Sequence, residues 1–423
     1  MSRENAPRVR HLTPDQSPRA KDNQSPGAKA VPEVLWIMTL IAIVLAMALA
    51  ASSGQACASE APGRMGVYVT FRSLMGKPDA MRAEMKAMRE AGVEFILPLA
   101  KSTTGEVYWD SRIAPEELVK DRKHLSRITE IAHQEGLKVY PWVCVCTEGK
   151  EDSLNAVLRA HPDWATVTAD GPIGVIDPGN PDARAYEVSL IREMLRDSKA
   201  DGVSLDYLRA SNRFAYTPSL RREFIRRYKT DPAEIIGAGK DSVATEGGKT
   251  SGAKAAVSPR KHPLWPRWRE LYRDAINTLA GEIAAGVREA RPDASVSSYV
   301  WGAHTYGPTS EAYQDYKTWL RKGWLDWINP TGYRYTDESF IAAARANRAT
   351  IPQSFPMLIT IGVRTSHGSL ATAAEVKHHM ELARQEGAQG LVFFTWEALK
   401  PFAEDLEQDI KGWRPKGEAD AAR

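Results

Sequence analysis

At 423 residues, with 43% hydrophobic and 26% charged residues, the chain has the composition of a globular protein and the length for two or three average domains or one α/β barrel with insertions. Its formal net charge of +3 is small and dispersed, with no basic helix and no stripe of interleaved aromatic and basic residues, which argues against nucleic acid as a partner. No GxGxxG, GxxxxGK(S/T), GxSxG or HExxH occurs, so no cofactor, no metal and no serine-hydrolase elbow is expected.

Residues 1–33 are polar and punctuated by proline, and Arg3, Arg8, Arg10, Arg19, Lys21 and Lys29 outnumber the acids; too little is apolar to bury, so disorder is expected. From Val34 to Ala51 the run VLWIMTLIAIVLAMALAA has no charge and is just long enough to span a bilayer. With basic residues ahead of it and the small residues Ala56-Cys57-Ala58 behind it, the segment 34–58 reads as a signal peptide or an uncleaved anchor. Either would put the rest of the chain outside the cytoplasmic membrane, as a periplasmic or extracellular protein or one tethered through residues 34–51.

Eight strand and helix pairs then follow. Gly66–Phe71 reads as a strand and Pro78–Ala91 as a helix with Met81, Met85 and Met88 on one face. The second pair is Val93–Leu99 with a helix from Pro115 to Gln134, and the third strand is Leu137–Cys146. Cys144 and Cys146 on that strand are spaced badly for a disulfide and read as small packing residues. HPDWATVTADGPIGVIDP is an irregular excursion, after which Asn180 caps a helix over Pro181–Ser198. The fourth strand starts at Asp201-Gly202 and ends on Asp206. Helices are expected over Pro218–Lys229 and Trp265–Ala290, parted by a flexible insertion, 237–263, that is rich in Gly, Ala, Ser and Lys and without periodicity. Strands Ala294–Trp301, Leu325–Tyr333, Phe355–Val363 and Ala388–Trp396 alternate with helices Glu311–Arg321, Glu338–Ala349, Ala373–Gln385 and one starting near Glu397; a polar tail, 411–423, ends the chain. This alternation of near-continuously apolar strands with helices predicts a (β/α)8 TIM barrel over residues 64–410.

In such a barrel the carboxyl ends of the strands converge on one mouth. The predicted ends supply Asp206, Tyr207 and Arg209 after strand four, Trp142 on strand three, Tyr299, Trp301 and His304 at strand five, Asn329 and Tyr333 at strand six, and Trp396 and Glu397 at strand eight. Aromatic rings in excess over acids suit stacking on the C–H faces of sugars. An unpaired acid ending an apolar strand is costly unless used, which makes Asp206 the leading catalytic candidate. Glu397 is the second, with Asp337 and Glu338 as competitors for the same role.

The order of several blocks also resembles a known family. IDPGNPDARAYEVSLIREMLRDSKADGVSLDYLR is similar to the central segment of glycosyl hydrolase-like family 10, in which a DPgxPxvRxY helix leads into a DGIxfDYxR strand. WPRWRELYRDAI, YQDYKTWLRKGWLDWINPTGY and LARQEGAQGLVFFTWEAL resemble later blocks of the same family, so the likeness covers Gly66 to about Leu406. The resemblance implies a glycosidase-like barrel of exported bacterial proteins and gives Asp206 the place of the strand-four acid. Many members carry two consecutive acids before the tyrosine; here Leu205 precedes Asp206, so the second acid must come from another strand end. The activity expected is hydrolysis of a glycosidic bond in an exported or environmental polysaccharide, with Asp206 as nucleophile or base and Glu397 as acid. The alternative is a carbohydrate-binding barrel that has lost one acid.

Overall fold

A computed structural model of the protein describes residues 63–150, 153–237, 258–307 and 310–418. The expected disorder of residues 1–33, the apolar run Val34–Ala51, residues 238–257 of the insertion and the last residues of the tail lie outside the described residues. Among the described residues no helix is long and apolar enough to cross a membrane.

Eight parallel strands close into a barrel. They are β1 (Met65–Val69), β2 (Phe95–Lys101), β3 in two pieces (Lys138–Val139 and Trp142–Cys144), β4 (Gly202–Asp206), β5 (Ser295–Val300), β6 (Trp327–Gly332), β7 (Leu358–Gly362) and β8 (Gly390–Phe394). Each pairs with its sequence neighbour, and closure comes from β1 against β8, with Met65 opposite Leu391 and Val67 opposite Phe393. Pro141 parts the two pieces of β3 because it has no N–H to give the ladder, although its carbonyl still accepts from Ser204 N–H. Strands such as β1 and β7 are buried at every position, which is why their sequences are nearly continuous apolar runs. Tyr68, Phe95, Leu97, Tyr140, Trp327, Leu358 and Val392 fill the barrel interior, while the alternate side chains, Val67, Ile96 and Val203 among them, pack under the helices.

The outer layer consists of α1 (Pro78–Glu90), α2 (His124–Gln134), α3 (Pro181–Ser198), α4 (Trp265–Ala290), α5 (Tyr316–Arg321), α6 (Asp337–Thr350), α7 (Ala373–Gln385) and α8 (Ala403–Gly412). The start of α3 is as read from sequence: Asn180 Oδ1 accepts the Asp182 and Ala183 amides, and Pro181 takes the first turn. Three expectations need correcting. The helix expected over Pro115–Gln134 is a single turn at Glu116–Leu118 followed by α2, because the chain between them is drawn into extended pairing, Leu118 C=O accepting from Val107 N–H and Val107 C=O from Lys120 N–H. The helix expected from Glu311 begins only at Tyr316, since Glu311 N–H donates to Asn212 Oδ1 and Ala312 C=O accepts from Ala210 N–H, tying this stretch to the loop after β4. The excursion expected to be irregular is an antiparallel hairpin, Ala165–Thr168 with Gly171–Ile176, to which Ala215–Tyr216 adds a third strand. Cys144 and Cys146 are buried free thiols.

The entry to β4 tolerates little. Asp201 Oδ2 accepts from Val139 N–H (2.7 Å), and a Cβ on Gly202 would lie 2.2 Å from the Ser295 carbonyl oxygen of the adjacent strand. Neither backbone can yield without loosening the ladder that carries Asp206. Gly202→Ala should therefore destabilise the protein by on the order of 2–3 kcal/mol, read as a fall in the midpoint of denaturant unfolding. An unchanged midpoint would show that the two strands separate easily here.

Candidate active site

At the carboxyl ends of the strands lies a cavity of about 460 Å³, and Asp206 is its chemical centre. The last residue of β4, Asp206 is only 9% exposed, and burial pushes its carboxyl up to about 6 while Arg209, the Tyr207 amide and the Trp142 indole oppose the shift. Its Oδ1 accepts from Tyr207 N–H at 2.6 Å and its Oδ2 from Trp142 Nε1 at 3.0 Å. Tyr207 holds φ at 52°, left-handed for an aromatic residue, and costs about 1–3 kcal/mol. That bend turns the chain so that Arg209 N–H reaches the Tyr207 carbonyl and the Arg209 guanidinium lies over the rings of Tyr207 and Trp301, 4.6 and 4.3 Å from their centroids.

The ionisation of Asp206 also bears on stability. Its folded pKa of about 6 exceeds the roughly 3.9 of an unfolded aspartate. The folded state thus binds the proton more tightly, and the stability this confers is complete below about pH 4 and lost as pH rises through about 6. Asp206→Asn removes the buried charge and keeps one of the two acceptor contacts. It should melt above the parent at pH 8, by about 1–2 kcal/mol, with the difference closing towards pH 4. A variant less stable than the parent at pH 8 would contradict this reading.

The floor is aromatic. Tyr68, Trp142 and Phe394 meet edge to face at 5.1, 5.4 and 5.8 Å between centroids. One wall is formed by Tyr299 and Tyr333 (5.9 Å), and Tyr333 also faces Phe394 (5.5 Å) and His367 (6.4 Å). His304 stacks on Trp301, and burial together with Arg334 lowers its pKa, favouring the neutral imidazole. Trp142, Asp206, Tyr207, Arg209, Tyr299, Trp301, His304 and Tyr333, all expected from the sequence, thus meet in one cavity.

Five expected residues are placed elsewhere. β8 ends at Phe394, two residues earlier than read, so Phe394 takes the mouth position. Trp396 then starts a short helix, Trp396–Leu399, and swings out to α1, where its Nε1 donates to Glu84 Oε2 at 2.9 Å; it is buried structure and not a sugar platform. Glu397 does not line the cavity: its carboxylate accepts from the Thr70 and Ser73 hydroxyls, and although burial raises its pKa, the side-chain bonds from Ser73, Thr395 and Thr70 together bring it below the ordinary value, the reverse of what a general acid needs. Asn329, three residues before the end of β6, lies fully buried beneath the cavity and donates to Tyr68 Oη (2.7 Å) and Thr360 Oγ1 (3.3 Å). Asp337 and Glu338 form the first turn of α6 behind its Thr336 cap, and Asp337 contacts His378 at 2.9 Å. Among the described residues lining the cavity, Asp206 is the only carboxylate.

Sequence reading missed Arg334 and His367, both on loops, and a buried cluster beside the site. Lys101 Nζ, at the end of β2, contacts Glu148 Oε1 (2.7 Å) and Glu187 Oε1 (2.9 Å), with all three side chains fully buried. It also donates to the Cys144, Val145 and Thr147 carbonyls. Val145 N–H in turn donates to the Asp206 carbonyl, so the cluster braces the segment beside the catalytic candidate. Burial pushes the Glu187 carboxyl well up, with Lys101 opposing the shift and the neighbouring Glu148 adding to it. Among the described residues no group of three or more His, Cys, Asp and Glu could hold a metal ion.

Against known proteins, residues 77–368 match the family glycosyl hydrolase-like 10, more than half of the chain. The chain belongs to the glycosyl hydrolase-like 10 family. The matched stretch contains every member of the Asp206 cavity except Phe394. A curated relative, glycosyl hydrolase DigH of Escherichia coli O6:H1, is 26% identical over 255 residues, 56% of this chain and 50% of that protein. The chain spans about half the length of the DigH proteins it matches. Among solved structures, the PgaB (BpsB) glycoside hydrolase domain of Bordetella bronchiseptica superposes with a TM-score of 0.61 at 14% identity, covering 82% of this chain and 99% of that one. The catalytic domain of a β-amylase from Paenibacillus polymyxa superposes with a TM-score of 0.53 at 12% identity, covering 82% and 98%. These structural likenesses establish for this glycosyl hydrolase-like 10 chain the barrel fold.

Proposed function

We propose that the protein is a glycoside hydrolase acting on an oligo- or polysaccharide, with Asp206 as the carboxylate that attacks the anomeric carbon or takes the proton of the attacking water. One observation carries this reading: a buried aspartate with a pKa of about 6 ends β4 inside a cavity walled by aromatic rings. Such a group is ionised at neutral pH yet basic enough to accept a proton in the transition state. The rings of Trp142, Tyr299 and Tyr333 offer apolar faces to a sugar, and Arg209, Tyr207 and His304 offer polar contacts at its edge. Membership of the glycosyl hydrolase-like family supports the same substrate class.

A second reading has an observation of its own. Hydrolysis of the ordinary kind needs two carboxyl groups, and Asp206 is the only one among the described residues lining the cavity. A barrel that binds saccharide without cleaving it fits that. Incubation with a panel of polysaccharides separates the two: release of new reducing ends is expected from the hydrolase, and retention of the protein by a polysaccharide without release would favour the binder.

The address belongs to the same proposal. The uncharged run Val34–Ala51 behind a basic N-terminal stretch supports export, which would bring the barrel to envelope or environmental polysaccharides. A reporter that works only outside the cytoplasmic membrane, fused after Arg423, should be active. An inactive one, with an active cytoplasmic reporter at the same point, would overturn export.

A further inference from the structure

We propose that the saccharide taken by this cavity is acidic, carrying a carboxylate on or beside the sugar ring, and that Arg334, assisted by Arg209, selects it. This rests on the carbohydrate reading above and adds the charge of the substrate. The cavity has two arginines against one carboxylate, Asp206. Among the described residues neither arginine forms an ion pair, whereas Arg184, Arg221 and Arg345 pair with Glu282, Asp231 and Glu386.

The two cavity arginines are differently engaged. Arg209 is stacked between Tyr207 and Trp301, gives Nη1 to the Ala210 carbonyl at 2.9 Å, and spends its field on Asp206. Arg334 has one long contact, Nη1 to the Tyr333 carbonyl at 3.4 Å, and its charge reaches His304 across the cavity wall. Its planar fork is thus available, beside the aromatic faces on which a ring would stack. A guanidinium in that state pairs bidentately with a carboxylate, which a neutral sugar lacks. An acidic sugar approaching Asp206 would be repelled by that carboxylate alone; Arg209 offsets the Asp206 charge and leaves Arg334 to neutralise the ligand.

The test uses the full-length protein and quenching of its tryptophan fluorescence, since Trp142 and Trp301 line the cavity. The probes are oligosaccharides of galacturonate, glucuronate and mannuronate, each paired with its carboxyl-reduced neutral form, with sulfated oligosaccharides as a second source of negative charge. At least one acidic oligomer should bind roughly tenfold or more tighter than its reduced partner, and added salt should shrink that ratio. Arg334→Gln should bring the ratio to about one, and Arg334→Lys should keep part of it. A preference for sulfate over carboxylate would overturn the assignment of the acidic group. Equal binding of acidic and reduced forms, or a ratio unchanged in Arg334→Gln, would overturn the inference and leave the carbohydrate reading standing; failure of every oligosaccharide to bind would overturn both.

Discussion

Asp206→Asn is expected to lower kcat/KM for glycoside cleavage by at least ~10³-fold while leaving saccharide binding measurable. Asparagine keeps the shape of the side chain and cannot attack carbon or accept a proton. In the parent protein the same carboxyl should set the acidic limb of the pH profile: with its pKa at about 6, kcat/KM should fall as pH drops through that value. The two outcomes belong together. A variant of undiminished activity, or a parent profile flat from pH 8 to pH 5, would remove Asp206 from the chemistry.

Lys101→Met carries the largest expected loss of stability. It leaves Glu148 and Glu187 buried without the cation that both contact, and breaking a buried ion pair from one side costs about 3–5 kcal/mol. The loss has a pH sign. Burial already pushes the Glu187 carboxyl up and Lys101 opposes that shift, so without Lys101 the folded state holds the Glu187 proton more tightly still, and the variant is most stable in acid and weakens as pH rises. Urea midpoints at pH 5 and pH 8 check this, with the larger deficit expected at pH 8. Combining Lys101→Met with Glu148→Gln and Glu187→Gln should recover part of it, because the unpaired charges are then gone. A single variant as stable as the parent at pH 8 would show that the cluster contributes nothing.

Asp206 was legible in the chain because physical chemistry singles it out locally: a carboxylate is expensive at the end of an apolar strand, and the capped α3 followed by the Asp-Gly entry marks where that strand begins. The neighbouring aromatics were legible for the same reason, since they sit at strand ends whose period is unambiguous. Trp396 and Glu397 were misread because FFTWE continues the apolar character of β8, and nothing local reveals that the strand stops at Phe394. Once it stops there, the tryptophan packs against α1 and the glutamate is held by Thr70 and Ser73. Arg334 and His367 come from loops after β6 and β7 that have no periodicity to read. The Lys101 cluster did leave a trace, a lysine closing an apolar strand and a glutamate within the buried face of α3 beside Ala183, Leu190, Ile191 and Met194. Pairing them requires the barrel, since they are far apart in sequence and meet only where β2 and α3 are brought together.

Hydrolysis in heavy-oxygen water tests the central claim most directly. If the barrel cleaves glycosidic bonds at Asp206, products from a cleaved polysaccharide should carry the heavy oxygen at each new reducing end, seen by mass spectrometry, and Asp206→Asn should yield none above the uncatalysed background. Saccharide binding without labelled product from any polysaccharide, or labelling by Asp206→Asn at the parent rate, would contradict it.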